Sequence, residues 1–371
     1  MRLFPVLIML SVIFGGYSYV YYRIWQMMPP SLVGRIILII IGVALVLFPF
    51  LSMGLGGVMP SGLTSFMYKA GTSWLIALLY LFMIFVLLDI LRITHILPVE
   101  KIMYNSWIGL GSVALIITTI LSVGYYRYTH KVRVELTIPV QKASLPGGSL
   151  RVVAVSDLHL GYGIDKKEFE GWVKLINKEN PDIVLIAGDI TDNNVTPLYE
   201  QDMGAVFSQI KSKYGVYAIP GNHEYIAGKT KAMDFLKNTA AVALQDSVVL
   251  IDDSFYVIGR DDLSNSSRKS IRELTASLDK TKPMILLDHQ PYHLEEAAEN
   301  GIDLQISGHT HGGQVWPATW LTNAIFEKDH GYLQKGNTHY FISSGLGIWG
   351  GKFRLGSQSE YVVIDLRLKD N

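Results

Sequence analysis

The sequence predicts an α/β domain preceded by an all-α membrane region of about four transmembrane helices. Three observations lead to this prediction. Long uncharged stretches fill the first third of the 371 residues, whereas short apolar runs alternate with helical patterns in the remainder. The net charge changes from +7 over residues 1–133 to −7 over residues 134–371. Several of the later apolar runs end in Asp, Asn or His. We therefore divide the chain into a membrane region, 1–131, and a second domain, 132–371.

The membrane region contains four stretches without a charged residue. A helix needs about 20 apolar residues to cross the hydrocarbon core of a bilayer, and each stretch is long enough. The predicted helices cover approximately residues 3–22, 36–58, 70–88 and 105–126. Four buried helices of a soluble core are the alternative, but such helices carry a polar stripe and these do not.

The first predicted helix could instead be a cleaved signal peptide. Only Met1 and Arg2 precede it and no small-residue cleavage site follows, so we expect a retained helix. None of the four predicted spans contains an ionisable residue, which a proton or ion pathway would need. The helices therefore have the composition of an anchor.

Basic residues near the predicted spans give an orientation. Four helices place both chain ends on one side, which carries five basic residues (Arg2, Lys69, Arg127, Lys131 and Arg133). The other side carries four (Arg23, Arg35, Arg92 and Lys101). The excess, although small, predicts a multi-pass protein of the plasma or inner membrane with a cytoplasmic second domain.

The second domain begins with an alternating strand pattern at 132–138 and a Pro-Gly-Gly turn at 146–148. Helical patterns cover 166–180 and 197–213, and residues 338–368 read as β-structure. Five short apolar runs predict buried strands at 150–156, 182–187, 216–219, 284–287 and 303–307. This alternation of strands and helices is typical of an α/β domain.

Polar motifs follow all five of these predicted strands. They are Asp157-Leu158-His159, Gly188-Asp189-Ile190-Thr191-Asp192, Gly221-Asn222-His223-Glu224, Asp288-His289 and Gly308-His309-Thr310-His311. In open α/β sheets, ligands bind beyond the carboxyl ends of the strands. Each motif alone could be a turn or a buried histidine, but five in this context predict one convergent site.

The residue types in these motifs suggest a metal site. The chain has no cysteine, which excludes disulfides, cysteine nucleophiles, zinc–thiolate sites and iron–sulfur clusters. Carboxylate, imidazole and amide ligands suit Mn, Fe or Zn best, with Mg or Co as further candidates.

Residues 150–366 resemble the calcineurin-like metallophosphoesterase superfamily. Its motifs D-x-H, G-D-x-x-D, G-N-H-[DE], a single His and G-H-x-H occur here in that order. The preceding helices, with Gly345-Leu346-Gly347, Arg354 and Glu360, are similar to the subgroup of transmembrane proteins with a metallophosphoesterase domain. Asp288 departs from the pattern, since the family usually has an apolar or small residue there. It could support the second metal ion or perturb it.

The resemblance implies two stacked mixed β-sheets flanked by helices, in four α/β/β/α layers, with two divalent metal ions at the sheet edge. It assigns the first ion to Asp157, His159 and His311, with Asp189 shared. It assigns the second ion to Asn222, His289 and His309. His223 would act on the leaving group of the substrate, oriented by Asp192 or Glu224.

The resemblance also implies hydrolysis of a phosphodiester, pyrophosphate or phosphomonoester by a metal-bridging hydroxide. A lipid-linked or envelope-precursor substrate, such as a UDP-diacylglucosamine-like pyrophosphate, is one candidate. A catalytically silent membrane scaffold or sensor is the alternative, although no ligand of the motif set is missing. A nuclease would need a basic groove, and the charge of −7 is unfavourable for nucleic acid. The oligomeric state is left open.

The uncharged segment 315–326 directly follows the last predicted ligands and contains Trp316 and Trp320. Tryptophan favours the membrane interface, so the segment could form an apolar lip that reaches the bilayer. Packing of these residues against the core of the two sheets is the alternative.

Overall fold

The computed structural model describes residues 3–142 and 145–368, and of residues 3–13 it describes the backbone alone. Met1 and Arg2, which enter the signal-peptide and orientation arguments, lie outside the described residues, as do 143–144 and 369–371. The chain forms two compact units. One contains the described residues up to Tyr125 and Gly350–Lys352, and the other contains Tyr126–Trp349 and the residues from Phe353 onwards.

The N-terminal part of the chain is helical. Its helices are α1 (Leu3–Met27), α2 (Leu32–Leu55), α3 (Ser61–Ile93), α4 (Glu100–Met103) and α5 (Trp107–Thr129). Among the described residues, α2, α3 and α5 are long and apolar enough to cross a membrane. Helix α1 covers the remaining predicted span, but its first side chains are not described, so three membrane-spanning candidates are found where four were expected.

The helices extend beyond the predicted spans and include charged residues. Asp89 lies within α3, where Arg23 of α1 donates from Nη2 to its Oδ1 over 2.5 Å. Arg92 Nη2 lies 3.3 Å from the same oxygen. The predicted spans themselves therefore contain no charged residue. The observed helices are longer and contain an ion-pair cluster near their ends.

The second unit contains the strands of the fold. Within the described residues they are β1 (Val132–Val140), β2 (Ser149–Val155), β3 (Ile183–Ile186), β4 (Val216–Ala218), β5 (Ala241–Ala243), β6 (Ser247–Ile251), β7 (Phe255–Gly259), β8 (Met284–Leu287), β9 (Leu304–Ser307), β10 (Gly331–Lys335), β11 (Thr338–Ile342) and β12 (Glu360–Leu368). The helices of this unit are α6 (Lys166–Lys178), α7 (Thr196–Glu200), α8 (Gly204–Phe207), α9 (Asn222–Ile226), α10 (Lys229–Lys237), α11 (Ile271–Thr275), α12 (Glu295–Glu299) and α13 (Ala318–Ile325).

The strands form two six-stranded mixed sheets. The first has the order β1-β12-β2-β3-β4-β5, in which β2 to β5 run parallel and β12 pairs antiparallel with β2. The second has the order β10-β11-β9-β8-β7-β6, in which β7, β8, β9 and β11 run parallel. Parallel pairing brings the ends of β2, β3 and β4 to one edge of the first sheet. It does the same for β8 and β9 in the second sheet.

Three apolar layers hold the two sheets and their helices together. Side chains of both sheets, among them Val152, Leu185, Ile285 and Ile306, form one buried cluster between the sheets. Phe169 and Trp172 of α6 pack with the outer face of the first sheet. Helices α11 and α12 cover the second sheet in the same way. The predicted arrangement of two stacked mixed sheets flanked by helices is confirmed.

One predicted helix, 197–213, is interrupted. The structure has α7 and α8 in its place, separated by Gln201, Asp202 and Met203. Asp202 adopts φ 48°, a left-handed conformation that ends an α-helix. The strands β5, β6, β7 and β10 were not predicted.

Candidate metal centre

The predicted metal ligands converge at the carboxyl ends of five strands. Potential ligand atoms of Asp157, His159 and His311 lie within 4.8 Å of one another. The same holds for Asp189, His289 and His309. A third group consists of His159, Asp192 and His223.

In the first group, two imidazoles face each other. Nε2 of His159 lies 3.1 Å from Nε2 of His311, and the latter atom lies 3.7 Å from Oδ1 of Asp157. Asp157 is fully buried and accepts hydrogen bonds from the backbone N–H of His309 and the hydroxyl of Ser156. These contacts fix one carboxylate and two ring nitrogens around a common point.

The second group contains an amide in addition to its carboxylate and imidazoles. Nε2 of His289 lies 3.2 Å from Oδ2 of Asp189. Nδ1 of His309 lies 2.9 Å from Oδ1 of Asn222, which places Asn222 in this group as well. The other ring nitrogen of His289 contacts the carbonyl oxygen of Ala187 at 2.7 Å, which sets the orientation of the ring.

Asp189 contacts members of both groups. Its Oδ2 lies 3.2 Å from Nε2 of His289 and 3.7 Å from Nε2 of His159. Its Oδ1 accepts a hydrogen bond from the backbone N–H of His223 at 2.9 Å. One carboxylate is therefore positioned to serve two ligand sets.

The donor set fits divalent cations. The buried Nε2 of His289 makes no hydrogen bond. Burial and the neighbouring His289 lower the pKa of His309 to about 4, and burial with the nearby Arg354 lowers that of His311 well below its usual value. A neutral imidazole has a free lone pair, so these two rings are in the state that binds a metal. A cation bound by Nε2 of His289 would satisfy a buried nitrogen that has no hydrogen-bond partner among the described residues.

The backbone at these strand ends adopts conformations that are uncommon outside glycine. Five of the seven predicted ligands have a positive φ: Asp157 (54°), His159 (47°), Asp189 (52°), His309 (73°) and His311 (52°). Such conformations are unfavourable and persist where the surroundings impose them, often at functional sites. Here these backbone conformations turn the ligand side chains towards one centre.

Two glycines allow the backbone to approach the ligands. A Cβ atom on Gly221 would lie 2.8 Å from Nε2 of His289 and would also collide with Asp189. A Cβ atom on Gly308 would lie 2.7 Å from the Oγ of Ser156 and would collide with Asp157. Any larger residue would therefore displace a ligand at either position.

His223 lies beside both groups and contacts Asp192. Its Nδ1 lies 3.1 Å from the carbonyl oxygen of Asp192 and 3.4 Å from the carboxylate Oδ1 of the same residue. Its ring packs edge-on against that of His159, with centroids 4.4 Å apart. Burial alone would lower the pKa of His223, but the hydrogen bond to Asp192 and the charge of Asp189 outweigh it and raise the pKa to about 9.

Glu224 has a different task from the one expected. Its carboxylate accepts hydrogen bonds from the backbone N–H groups of Thr191 and Gly221, each at 2.7 Å, and of Asp189 at 3.2 Å. The carboxylate therefore ties two ligand-bearing loops together. Of the two residues expected to orient His223, Asp192 is the one that contacts its ring.

Asp288, the departure from the family pattern, faces two arginines. Its Oδ2 accepts from Arg260 Nη1 at 2.9 Å and its Oδ1 from Arg268 Nη1 at 3.1 Å. It belongs to none of the three ligand groups found among the described residues. The two arginines thus balance the carboxylate of Asp288, which precedes His289 in the chain. These ion pairs connect the loops around the second ligand group.

Sequence reasoning missed Arg260 and Arg268. The signal was present, because the apolar run of β7 ends in Arg260-Asp261-Asp262, as the other runs end in polar motifs. Arg354 was noted only through the family resemblance. It is fully buried and donates from Nη1 to the carbonyl oxygen of His311 at 2.8 Å and from Nη2 to that of Gly347 at 2.7 Å. It thereby holds the loop that carries His311.

Comparisons with known proteins show which family this chain is similar to. Residues 150–313 match the model of the calcineurin-like phosphoesterase family. An uncharacterized metallophosphoesterase of Aquifex aeolicus is 31% identical over 267 residues, which cover 69% of this chain and all of that protein. A Danio rerio transmembrane protein with metallophosphoesterase domain is 31% identical over 277 residues, or 68% of this chain and 62% of that protein.

An uncharacterized metallophosphoesterase of Helicobacter pylori is 30% identical over 230 residues, and the match spans 60% of the length of each protein. Among solved structures, a calcineurin-like phosphoesterase of Bacillus subtilis matches 53% of this chain and 81% of its own at 16% identity and a TM-score of 0.35. The Aquifex relative is matched over its entire length and over more than two thirds of this chain. The chain therefore belongs to the calcineurin-like phosphoesterase family.

Proposed function

We propose that this chain is a membrane-anchored, metal-dependent phosphoesterase with a dinuclear centre. The observation that carries the proposal is the position of Asp189, whose carboxylate contacts histidines of two separate ligand groups. A buried cluster of carboxylates and imidazoles of this kind is typical of a site that holds cations.

The ligand roles follow from the two groups. Asp157, His159 and His311 would hold one ion, Asn222, His289 and His309 the other, and Asp189 both. Two divalent ions in such a site neutralise the charge of phosphate oxygens and lower the pKa of a bound water. The ligand types favour Mn, Fe or Zn over harder cations.

His223 would supply the proton for the leaving group. Its Nδ1 faces the carbonyl oxygen of Asp192, so that atom carries a hydrogen and Nε2 is the atom available to substrate. When the water oxygen bonds to phosphorus and the ester P–O bond breaks, His223 Nε2–H donates its proton to the departing oxygen. Asp192 keeps the imidazolium in place and compensates its charge.

The substrate and the location are parts of the same proposal. Helices long and apolar enough to span a bilayer favour a multi-pass protein with a lipid-linked phosphate ester or pyrophosphate as substrate. The acidic charge of residues 134–371 disfavours nucleic acid. The distribution of basic residues favours a cytoplasmic phosphoesterase domain, which a reporter fused after Asn371 would test.

The test is Asp189→Asn, with Asp234→Asn as matched control. Asp234 is an exposed residue of α10, so the control makes the same chemical change away from the centre. Both proteins are purified as full chains, loaded with Mn²⁺, analysed for bound metal and assayed with a soluble aryl phosphodiester. We expect Asp189→Asn to lose bound metal and to fall to background activity, while Asp234→Asn resembles the wild type.

Two outcomes would contradict the proposal. Undiminished activity of Asp189→Asn would mean that this carboxylate is not shared between ions. A wild-type protein that binds metal but hydrolyses no diester, monoester or pyrophosphate would favour the catalytically silent scaffold.

A further inference from the structure

The segment after the last predicted ligands displays apolar side chains to solvent. Trp320 is 66% exposed, Leu321 62% and Ile325 52%, and Trp316 is 40% exposed. Helix α13, which contains three of them, has no buried residue. Packing against the core of the two sheets was the alternative expected from the sequence, and the exposure of these side chains excludes it. Single exposed apolar residues are ordinary, but four in ten consecutive positions form a patch that indicates an interaction surface.

This apolar lip, residues 315–326, is held in a defined conformation. The N–H groups of Leu355 and Gly356 donate to the carbonyl oxygen of Gln314 at 2.9 and 3.1 Å at its start. In α13, the hydroxyl of Thr322 donates to Oδ2 of the buried Asp329 at 3.2 Å. The rings of Trp316 and Trp320 pack edge-to-face, with centroids 5.2 Å apart. The lip therefore presents a fixed surface.

The lip borders the candidate metal centre. It begins immediately after Gln314, three residues beyond His311. At its other end, the ring of Phe326 lies 6.2 Å from that of His309. Gln314 Nε2 donates to the carbonyl oxygen of Trp349 at 3.1 Å, and the half-exposed Trp349 ring lies 6.4 Å from that of His223. Aromatic side chains of the lip and of Trp349 thus lie near two histidines of the candidate centre.

The composition of the lip fits a lipid surface. Residues 315–326 contain no charged side chain, and two of them are tryptophans, which favour the interface between headgroups and acyl chains. Helix α5, which is long and apolar enough to span a bilayer, ends at Thr129, and β1 begins at Val132. The two residues between them reach at most about 10 Å. A bilayer-spanning α5 would therefore keep the start of β1 close to the membrane surface.

We propose that the apolar lip inserts into the bilayer interface and brings the metal centre to the phosphate of a membrane-embedded substrate. This inference rests on the proposed function for the chemistry, but the insertion can be measured without it. Because Trp320, Leu321 and Ile325 would replace water contacts by lipid contacts, insertion stabilises the docked position. The substrate then reaches the centre with its acyl chains still in the membrane.

The absence of cysteine makes a direct test possible. Leu321→Cys and the control Val242→Cys each introduce a single thiol for an environment-sensitive fluorophore. Val242 is a 45% exposed apolar residue on β5, an edge strand of the first sheet. The labelled full chains are placed in phospholipid nanodiscs with and without lipids that carry a quencher on the acyl chain. We expect blue-shifted, lipid-quenched emission at position 321 and water-like, unquenched emission at position 242.

A second variant connects insertion to turnover. Trp320→Ser combined with Leu321→Ser leaves every proposed ligand in place. We expect it to hydrolyse a soluble aryl phosphodiester like the wild type, and a phosphodiester embedded in nanodiscs at least about tenfold more slowly, because apolar contact area with lipid is lost.

Several results would overturn the inference. Emission at position 321 that matches position 242 would mean that the lip stays in water. Emission that is shielded from water but not quenched by lipid would mean that protein covers α13. Equal loss of both activities would assign the lip to folding. A wild type that hydrolyses neither diester would contradict the proposed function, and the quenching result would still decide on insertion.

Discussion

Buried carboxylates have different partners at the two ends of the parallel strands. At the carboxyl ends, Asp189 and Asp192 lie among histidine side chains within 3.2–3.7 Å. At the amino end of β9, the buried Asp303 accepts one hydrogen bond from the backbone N–H of Met284 at 2.8 Å. The cation nearest to it among the described ion pairs is Lys142, whose Nζ lies 3.9 Å away.

The pKa values follow this difference in partners. Burial would raise the pKa of Asp192, but the neighbouring His159 and His223 outweigh burial and lower it. At Asp303 burial prevails over the Met284 hydrogen bond and raises the pKa to about 6. Burial by itself therefore does not make a functional carboxylate, whereas a carboxylate that is buried beside imidazole groups has a lowered pKa and stays able to bind cations.

The largest effect on activity without loss of metal is expected at His223. His223→Ala removes the proposed proton donor at the carboxyl ends of the strands but no proposed ligand. We expect kcat to fall by about 10²–10⁴, as for loss of a general acid, with metal content unchanged. His293→Ala, at an exposed histidine, is the control. Loss of one metal equivalent in His223→Ala would make this residue a ligand and would contradict its assigned role.

Next in size is the effect of Arg354 on stability. Arg354→Gln leaves the carbonyl oxygen of Gly347 without its donor and removes one of the donors to that of His311, which still accepts from Ser357. We expect a loss of about 2 kcal/mol of stability, since one unsatisfied buried group costs about 1–3 kcal/mol. Thermal unfolding measures this loss, with the exposed Arg367→Gln as control. An unchanged melting temperature would show that the loop of His311 needs no such support.

A smaller effect is expected when a negative charge is added to the second ligand group. Asn222→Asp gives this group the carboxylate that Asp157 gives the first. We expect Mn²⁺ to bind the second position about tenfold more tightly, because a second anionic ligand compensates the cation. A metal titration of this variant, compared with Asn337→Asp, measures the change. Unaltered affinity would place Asn222 outside the metal centre.

The smallest effect is the pH dependence that Asp303 contributes at the amino end. Because its pKa in the folded state is raised to about 6 from 3.8, the folded state binds a proton more tightly than the unfolded state. This contribution to stability is present below about pH 4 and is lost as the pH rises through 6, by about 1–2 kcal/mol. Asp303→Asn keeps the acceptor for Met284 and should remove this slope from thermal unfolding between pH 4 and 6. A slope that persists would assign the titration to another group.

Much of the carboxyl-end chemistry could be predicted because each motif directly follows a strongly apolar run. Strand β8 coincides with the predicted 284–287, and the adjacent His289 lies in the second ligand group. The order of the motifs along the chain then identified the fold, since few families combine them. The assignment of each residue to a metal ion remains a prediction that the variants above test.

Other features depend on contacts that a sequence pattern does not contain. The pairing of Asp288 with Arg260 and Arg268 joins residues 20–28 positions apart through the strand order β7-β8. The break between α7 and α8 depends on the left-handed conformation of Asp202, a residue that is also tolerated in helices. From the sequence, the apolar lip was equally compatible with packing in the core. Hydropathy does not show which apolar segments stay exposed to solvent in the fold.

The central claim is that Asp189 joins two metal ions in one centre, and the most direct measurement is electron paramagnetic resonance of the Mn²⁺-loaded full chain. At saturation, we expect two Mn²⁺ per chain and the spectrum of a magnetically coupled pair. In Asp189→Asn the coupled signal should disappear. A spectrum of isolated Mn²⁺ ions in the saturated wild type, or a coupled pair that persists in Asp189→Asn, would contradict the account.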